Sequence, residues 1–392
     1  VPSCQTGATL SNGHDQATDE KVARLLEMLR QVKDFRADRG KVYDLHFVLA
    51  VALIATLAGA TGYRQIGRRA ADLPQGLLTQ LGAPYDHFSG AHATPSESTI
   101  REVLTNVDAD LLDLVTCAWI HECATRDQSG DLVIALDGKV LRGAWTDENK
   151  QVKLFAAMTH AEGTVVAQTL VPDDTNEITQ VDNLVKNLRH TRGRTIATAD
   201  AAHTQFRTAI LLRKRGIDYV LTVKGNQPKL HQDIFRRCLP LLQETPEHEE
   251  EERSHGRVRR WSIWTTDATG FRFPFARTIA IIRREEFDLE GNRTTKEYAF
   301  IVSSLRGERA TPAAIHTHVR LHWGIENRLH YIRDTAWRED ACHASRGNGP
   351  RNLATIRNLA LGLLRLHGVR KIKETLEHIA ADRQRALHYL AT

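Results

Sequence analysis

Across residues 131–223 the spacing of apolar residues changes from a helical period to that of strands, and two of these strands stop on aspartates. Residues 132–136 form an apolar run that ends on Asp137-Gly138-Lys139, and residues 195–198 form another that stops at Asp200. Between and beyond them, 152–159 and 164–171 read as strands joined by a turn at Glu162-Gly163. Residues 175–189 read as an amphipathic helix (Ile178, Val181, Leu184, Val185, Leu188), 204–215 as a helix and 219–223 as a further strand. The order β-β-β-α-β-α-β describes an antiparallel hairpin set followed by crossover units, an α/β class with a mixed sheet flanked by helices. In such a sheet, carboxylates ending two neighbouring strands can converge at one edge.

The flanks differ in character. Residues 1–20 are polar and are expected to be loose. Residues 21–128 are expected to form an all-helical domain for DNA binding or assembly: Val22, Leu25, Leu26, Leu29 and Val32 recur at helical spacing, and 45–57 is continuously apolar. Ser96 and Glu97 mark the start of another helix, as cap and first-turn acid. Arg64, Arg68, Arg69 and Arg101 on these short helices suit DNA contact and an ordinary solvated face equally well. The catalytic core then occupies 129–224, a strand-rich insertion 225–310, and a helical end 311–392.

A chain of 392 residues exceeds one ordinary core, which agrees with this division. The five cysteines are scattered and include no CxxC pair, so they predict neither a disulfide framework nor a zinc finger and point to a reducing cytoplasm. The longest apolar stretch, 45–60, contains His46 and is shorter than the ~20 residues of a spanning helix, so no membrane partner is expected. The net charge of +5 is compatible with a polyanion. Its distribution says more: residues 342–371 carry six Arg or Lys and no acid, whereas 247–252 is almost wholly acidic. The basic helical end is therefore expected to track phosphates through Arg346, Arg351, Arg357, Arg365, Arg370 and Lys371.

Phosphoryl transfer on DNA needs hard oxygen ligands for two Mg²⁺ ions ~3.5–4 Å apart, for which Mn²⁺ can substitute. Asp137 and Asp200, with Glu326 on a later helix, supply the carboxylates. Taken singly, each acid is better explained as a cap or a salt-bridge partner; strand-end placement and flanking sequence carry the case. Leu136-Asp137-Gly138-Lys139-x-x-Arg142-Gly143, Ala199-Asp200-Ala201-Ala202-His203-Thr204-Gln205, Val223-Lys224-Gly225-Asn226-Gln227 and His322-Trp323-x-Ile325-Glu326-Asn327-x-x-His330 resemble DDE-type insertion-sequence transposases of the H-repeat-associated group. Trp337-Arg338-Glu339-Asp340 and Asn348-Gly349-Pro350-x-Asn352-Leu353 are similar too, so the likeness spans about 34–366.

The resemblance implies an RNase-H-like core with the first acid on the first strand, the second ending the fourth, and the third on a helix. It implies catalysis and metal binding by Asp137, Asp200 and Glu326, double-stranded DNA as partner, and no ATP; a Walker-A loop is indeed missing after Gly225-Asn226-Gln227. A water would free a 3′-hydroxyl at the element end, and that hydroxyl would attack target DNA in line. A homodimer on DNA follows from two ends being cut together.

The sequence departs from the wider superfamily's Tyr-x2-Arg-x3-Glu-x6-Lys signature. Alignment on Glu326 puts Val319, His322 and Arg333 in the other slots, of which only His322 and Arg333 can donate to a phosphate. Lys139, Arg142, His203 and Lys224 are candidates for charge stabilisation and strand positioning, with plain surface charge as the competing reading. His322, Glu326 and His330 at successive i+4 steps span ~12 Å of helix, too far for one ion, which leaves the histidines as phosphate donors or packed neighbours. Trp261 and Trp264 beside Arg257, Arg259 and Arg260 could stack on a flipped base, as an insertion-domain Trp does in some related transposases, although packing is the commoner role. Two other functions compete: an inert DNA-binding protein on the same scaffold, and an RNase-H-like nuclease that cuts without joining strands.

Overall fold

The computed structural model describes residues 9–39, 41–126, 130–146, 148–188, 193–254 and 256–390, with side chains from residue 20 onward. Six helices come first: α1 (Thr9–Arg30), α2 (Leu45–Leu57), α3 (Tyr63–Ala71), α4 (Gln75–Gln80), α5 (Glu97–Asn106) and α6 (Ala109–Thr125). Of the segment expected to be loose, residues 1–8 lie outside the described residues, and from Thr9 the backbone is already helical. All of α2 except His46 is buried, as a sequence apolar at every position but His46 and Thr56 requires. The Ser96 hydroxyl accepts the Thr99 N–H at 3.2 Å, and Asp108 accepts those of Asp110 and Leu111, so α5 and α6 begin on side-chain caps. Among the described residues no helix is long and apolar enough to cross a membrane.

Nine strands then build one sheet. They are β1 (Leu132–Trp145), β2 (Gln151–Thr159), β3 (Val165–Leu170), β4 (Thr195–Ala199), β5 (Ile217–Val223), β6 (His248–Ser254), β7 (Arg257–Asp267), β8 (Thr278–Phe287) and β9 (Arg293–Ser303). Their spatial order is β3-β2-β1-β4-β5-β9-β8-β7-β6. β4 runs parallel to β1 and to β5, and the other neighbours are antiparallel. The first five strands, in the order 3-2-1-4-5, have the RNase-H-like arrangement, with α7 (Glu177–Val185) before β4 and α8 (Phe206–Lys214) before β5. The expected strand-rich insertion opens with α9 (Pro228–Cys238), and its strands do not stand apart. β9 pairs with β5 from Phe300–Val223 to Ser303–Val220, so the insertion widens the core sheet.

The remaining elements are α10 (Pro312–His322), a π-helical turn (Glu326–His330), α11 (Tyr331–Trp337), α12 (Gly349–Leu366), α13 (Ile372–Ala381) and α14 (Ala386–Leu390). Instead of a basic tail, α12 is the centre of the helical layer. Leu353, Ile356, Leu359, Leu363 and Leu364 share one core with α1, α2, α5 and α6, and with Met158 and Val165 of the sheet. Each such side chain contributes roughly 1.5–3 kcal/mol on burial, so the N- and C-terminal helices hold each other in place as one layer.

Polar side chains cross this core as a connected network. Glu339, fully buried, accepts from Arg333 at 2.8 Å and from Arg357 at 3.0 Å. Arg357 also donates to the Thr61 carbonyl, and Arg333 to the Asn358 side-chain oxygen. Asn358 donates to Gln168 of β3, Gln168 to Asp113 of α6, and Asp113 accepts from Arg351 at 2.7 Å. Burial alone would raise the Glu339 carboxyl, but Arg333 and Arg357 outweigh it and hold it down at about 2. Glu339→Gln leaves two buried guanidinium groups short of a counter-charge and is expected to cost about 3–5 kcal/mol near neutral pH. Urea unfolding midpoints measure this, and a variant as stable as the parent would remove the network from its central position. Because the carboxyl is depressed when folded, its contribution is present above about pH 4.5 and is lost as the pH falls toward about 2.

Candidate active site

The strand register brings the first two acids together. Leu136 of β1 is paired with Ala199 of β4, and Asp137 and Asp200 follow them. Asp200 lies just past the end of β4 as expected, whereas β1 continues through Asp137 to Trp145, which corrects the reading of Asp137 as a strand end. Asp200 ends its strand by capping a short 3₁₀ turn, its Oδ1 accepting the Ala202 N–H at 3.0 Å. Glu326 arrives differently. Within the helical end expected over 311–392, α10 stops at His322, and the π-helical turn that follows carries Glu326 and His330. In it His330 Nδ1 lies 3.1 Å from Glu326 Oε2 and 3.6 Å from Asp137 Oδ2. Ligand atoms of Asp137, Glu326 and His330 all fall within 4.8 Å of one another. Asp200 lies beside this group on the adjacent strand and outside it.

Arg328 fixes that turn to the sheet. Its guanidinium donates to the carbonyls of His160 at 2.6 Å and Ala161 at 2.9 Å, across the turn between β2 and β3. The turn places Gly163 at φ +77°, and a Cβ there would come 2.7 Å from Arg328 Nη2. A side chain at this position would therefore push away the anchor of Glu326.

A fourth acid also reaches the site. Glu177 begins α7, following the Asn176 cap, and its carboxylate lies over Gly138, where a Cβ would be 1.8 Å from Glu177 Oε1. His203 is buried, stacks on Phe155 at 5.0 Å between ring centroids, and approaches Glu177 Oε2 with its Nε2 at 3.3 Å. Burial, then the charges of Glu177 and Asp200, push the Asp137 carboxyl up to about 7. Burial likewise holds the His330 and His322 rings down at about 4, so both are neutral at pH 7. Among the described residues, no Lys or Arg comes within salt-bridge distance of Asp137, Asp200, Glu326 or Glu177. Clustered carboxylates, a neutral imidazole and no fixed cation fit a divalent metal ion. Sequence reasoning missed His330 as a partner of Asp137, because i+4 spacing was judged on a regular helix. It missed Glu177 because an acid after a cap reads as a helix-dipole residue; Gly138, directly after Asp137, was the available signal.

The cationic candidates divide. Arg142, Lys224 and Arg346 are exposed. Arg346, Arg64 and Arg101 line one cleft of about 590 Å³ with His343 and Tyr63. The others are engaged inside the molecule. Lys139 is paired with Asp334 at 2.7 Å and Asp340 at 3.3 Å, and His203 with Glu177. His322 Nδ1 meets the Thr198 hydroxyl at 3.1 Å. Arg333, Arg351 and Arg357, expected to contact phosphates, belong to the buried network, so of the six cations in 342–371 Arg346, Arg370 and Lys371 are the exposed ones. Of the two tryptophans, Trp264 is fully buried with Nε1 donating to the Glu244 carbonyl, and Trp261 packs under Arg320.

An RNase-H-like sheet with one carboxylate within its first strand and another just past the end of the adjacent fourth defines the class of this protein. The chain belongs to the transposase DDE domain family, whose model matches residues 128–363, and the model of the domain associated with that family matches 26–120. Relatives include the "H repeat-associated putative transposase YhhI" of Escherichia coli K12, 26% identical over 95% of this chain and 98% of that protein. The "Putative transposase YncI" of Escherichia coli O157:H7 is 28% identical over 88% of each chain. Among solved structures, a piggyBac transposase synaptic complex with hairpin DNA aligns over 94% of this chain and 78% of its own, at 11% identity and a TM-score of 0.38.

The raised Asp137 carboxyl has a consequence for stability. In the folded chain it keeps its proton up to about pH 7, whereas unfolded it releases it near 4, so the folded state binds more protons in between and stability falls as the pH rises through that window. Without metal, Asp137→Asn is therefore expected to be more stable than the parent by roughly 2–4 kcal/mol at pH 8 and to match it near pH 4. Urea midpoints at both pH values, with chelator and then with Mg²⁺, test this. The parent should regain stability with the ion at pH 8, and equal midpoints under all conditions would refute the crowded-carboxylate account.

Proposed function

We propose that the chain is an active, metal-dependent DNA transposase that cleaves phosphodiester bonds at the ends of a mobile element and joins the freed 3′ ends to target DNA. The observation that carries this reading is the convergence of Asp137, Glu326 and His330, with Asp200 on the neighbouring strand. Asp137, Asp200 and Glu326 would hold two Mg²⁺ ions, or Mn²⁺, with His330 completing the set. Bound there, the ions supply Lewis acidity toward an attacking oxygen and a leaving oxygen.

The chain's own groups do the rest. Uncompensated carboxylates repel a phosphate, so the backbone of double-stranded DNA is held from outside the cluster by Arg142, Lys224 and Arg346, with Arg64 and Arg101 in the same cleft as Arg346. Neutral His330 orients Glu326 against Asp137, and Arg328 keeps that pair at a fixed height above β1 and β2. Glu177, braced by His203, acts as a positioning residue beside Asp137. Exchange of one phosphodiester for another needs no ATP. Cutting two ends in concert calls for a second copy of the chain, so the working form on DNA is a homodimer.

The test is a strand-cleavage and strand-transfer assay on duplexes carrying the element's ends, with Mg²⁺. The parent should give joined products. Asp137→Asn and Glu326→Gln should lose activity on the order of 10²–10³-fold or more while still binding the duplex. Glu177→Gln should lose about 10–100-fold and regain part of this at higher Mn²⁺. Cleavage without joined products would identify a nuclease instead, and binding without cleavage an inert DNA-binding scaffold. Robust Mg²⁺-dependent cleavage by Asp137→Asn would sink the assignment of the site.

A further inference from the structure

The acidic run 247–252 and the strands after it are not used by the chemistry above, and one cluster there has a separate character. β6 alternates, with His248, Glu250 and Glu252 less exposed than Glu249, Glu251 and Arg253. Glu249 turns to Ser262, and Glu251 to Arg260 and Arg253. On the other face, Glu250 and Glu252 both accept from Arg320 of α10. One turn before Arg320 on the same helix is His316, only 1% exposed, whose Nε2 is buried with no hydrogen-bond partner. Its Nδ1 lies 3.1 Å from Glu250 Oε2, and its ring centroid is 5.8 Å from that of His248. Ligand atoms of His248, Glu250 and His316 all fall within 4.8 Å of one another.

We propose that His248, Glu250 and His316 form a second metal site, for a transition ion of the zinc class, that clamps the edge strand β6 to helix α10. Two imidazoles and one carboxylate are the donors of such ions, whereas Mg²⁺ favours an all-oxygen shell. Buried His316 has no partner at Nε2 and only the ion-pair approach to Glu250 at Nδ1, and an ion held between Nδ1 and Glu250 would give that nitrogen a directed bond. Arg320 donates to Glu250 Oε1, which leaves Oε2 toward the histidines and orients the carboxylate as an outer-shell partner does. The Glu250 side chain is 43% exposed, so the site opens to solvent at the sheet edge, with room for a water as fourth ligand. Glu250 and Glu252 against the single Arg320 leave one negative charge, which an incoming cation offsets. The clamp is structural: α10 leads directly into the turn that carries Glu326, so an ion here holds the insertion's outer edge against the helix that delivers the third acid.

The experiment is a Co²⁺ titration of the full chain, stripped with chelator and kept in excess Mg²⁺ so that the carboxylate cluster is occupied. One equivalent of Co²⁺ should bind with the intense visible d–d bands of a four-coordinate ion, and Zn²⁺ should displace it. His248→Asn and His316→Asn should each lose the bands, with Zn²⁺ affinity falling by more than about 100-fold, the upper end of what losing an outer-shell partner alone costs. Asp137→Asn should keep them. Replacing buried His316 also disturbs packing, so the decisive variant is His248→Asn, verified as folded by circular dichroism. With Mg²⁺ kept in constant excess, added Zn²⁺ should raise the Tm of the parent and leave that of His248→Asn unchanged. Bands that persist in His248→Asn, bands lost only in Asp137→Asn, or a parent that binds neither ion at micromolar concentration would each overturn the site, and none of them bears on DNA cleavage.

Discussion

A carboxylate with no access to water, held between guanidinium groups from two helices, ties the layers of this protein together. Glu339 receives Arg333 from α11 and Arg357 from α12, and through Asn358, Gln168 and Asp113 the same chain of hydrogen bonds reaches the third strand of the sheet and helix α6. A buried charge is tolerated only when its partners are placed correctly, so the network admits one register of α12 against the sheet and few others. Trp337, two residues before Glu339, adds a hydrogen bond to the Thr56 carbonyl of α2. Helices that are distant in sequence are thereby fixed relative to the strands that carry Asp137 and Asp200.

The candidate site shows the opposite economy. Where the buried network pairs its charges, the site collects Asp137, Asp200, Glu326 and Glu177, and among the described residues no lysine or arginine lies within salt-bridge distance of them. Lys139, next but one to Asp137 in sequence, is drawn away to Asp334 and Asp340. The resulting repulsion is concentrated on Asp137, and under the proposed function a bound cation would relieve it, connecting stability to function at the same residues.

Much of this was legible in the sequence. The apolar runs before Asp137 and Asp200 located both strands, and the succession of five strands and two crossover helices along the chain followed from periodicity, although their spatial order did not. Cap residues such as Ser96 marked helix starts. The third acid was legible through its resemblance to a known family, but its surroundings were not. A π-helical turn cannot be read from i+4 spacing, so His330 was assigned to the wrong geometry. The basic stretch 342–371 was misread for a different reason: Arg351 and Arg357 look like surface charge until Asp113 and Glu339, far away in sequence, are placed against them.

What the sequence by itself determined is therefore local: which segments are strands or helices, and which acids lie on them or at their ends. These follow from hydrophobic period, capping and backbone preference, all of which act within a few residues. Tertiary structure alone decided that the insertion extends the sheet and that the C-terminal helix is core. It alone decided which arginines are free for phosphates, and that Glu177 and His330 join Asp137 and Asp200. Those outcomes depend on pairings between residues far apart in sequence, 281 positions in the bond from Trp337 to Thr56 and 296 in that from Arg357 to Thr61, and no local pattern encodes a partner at that distance.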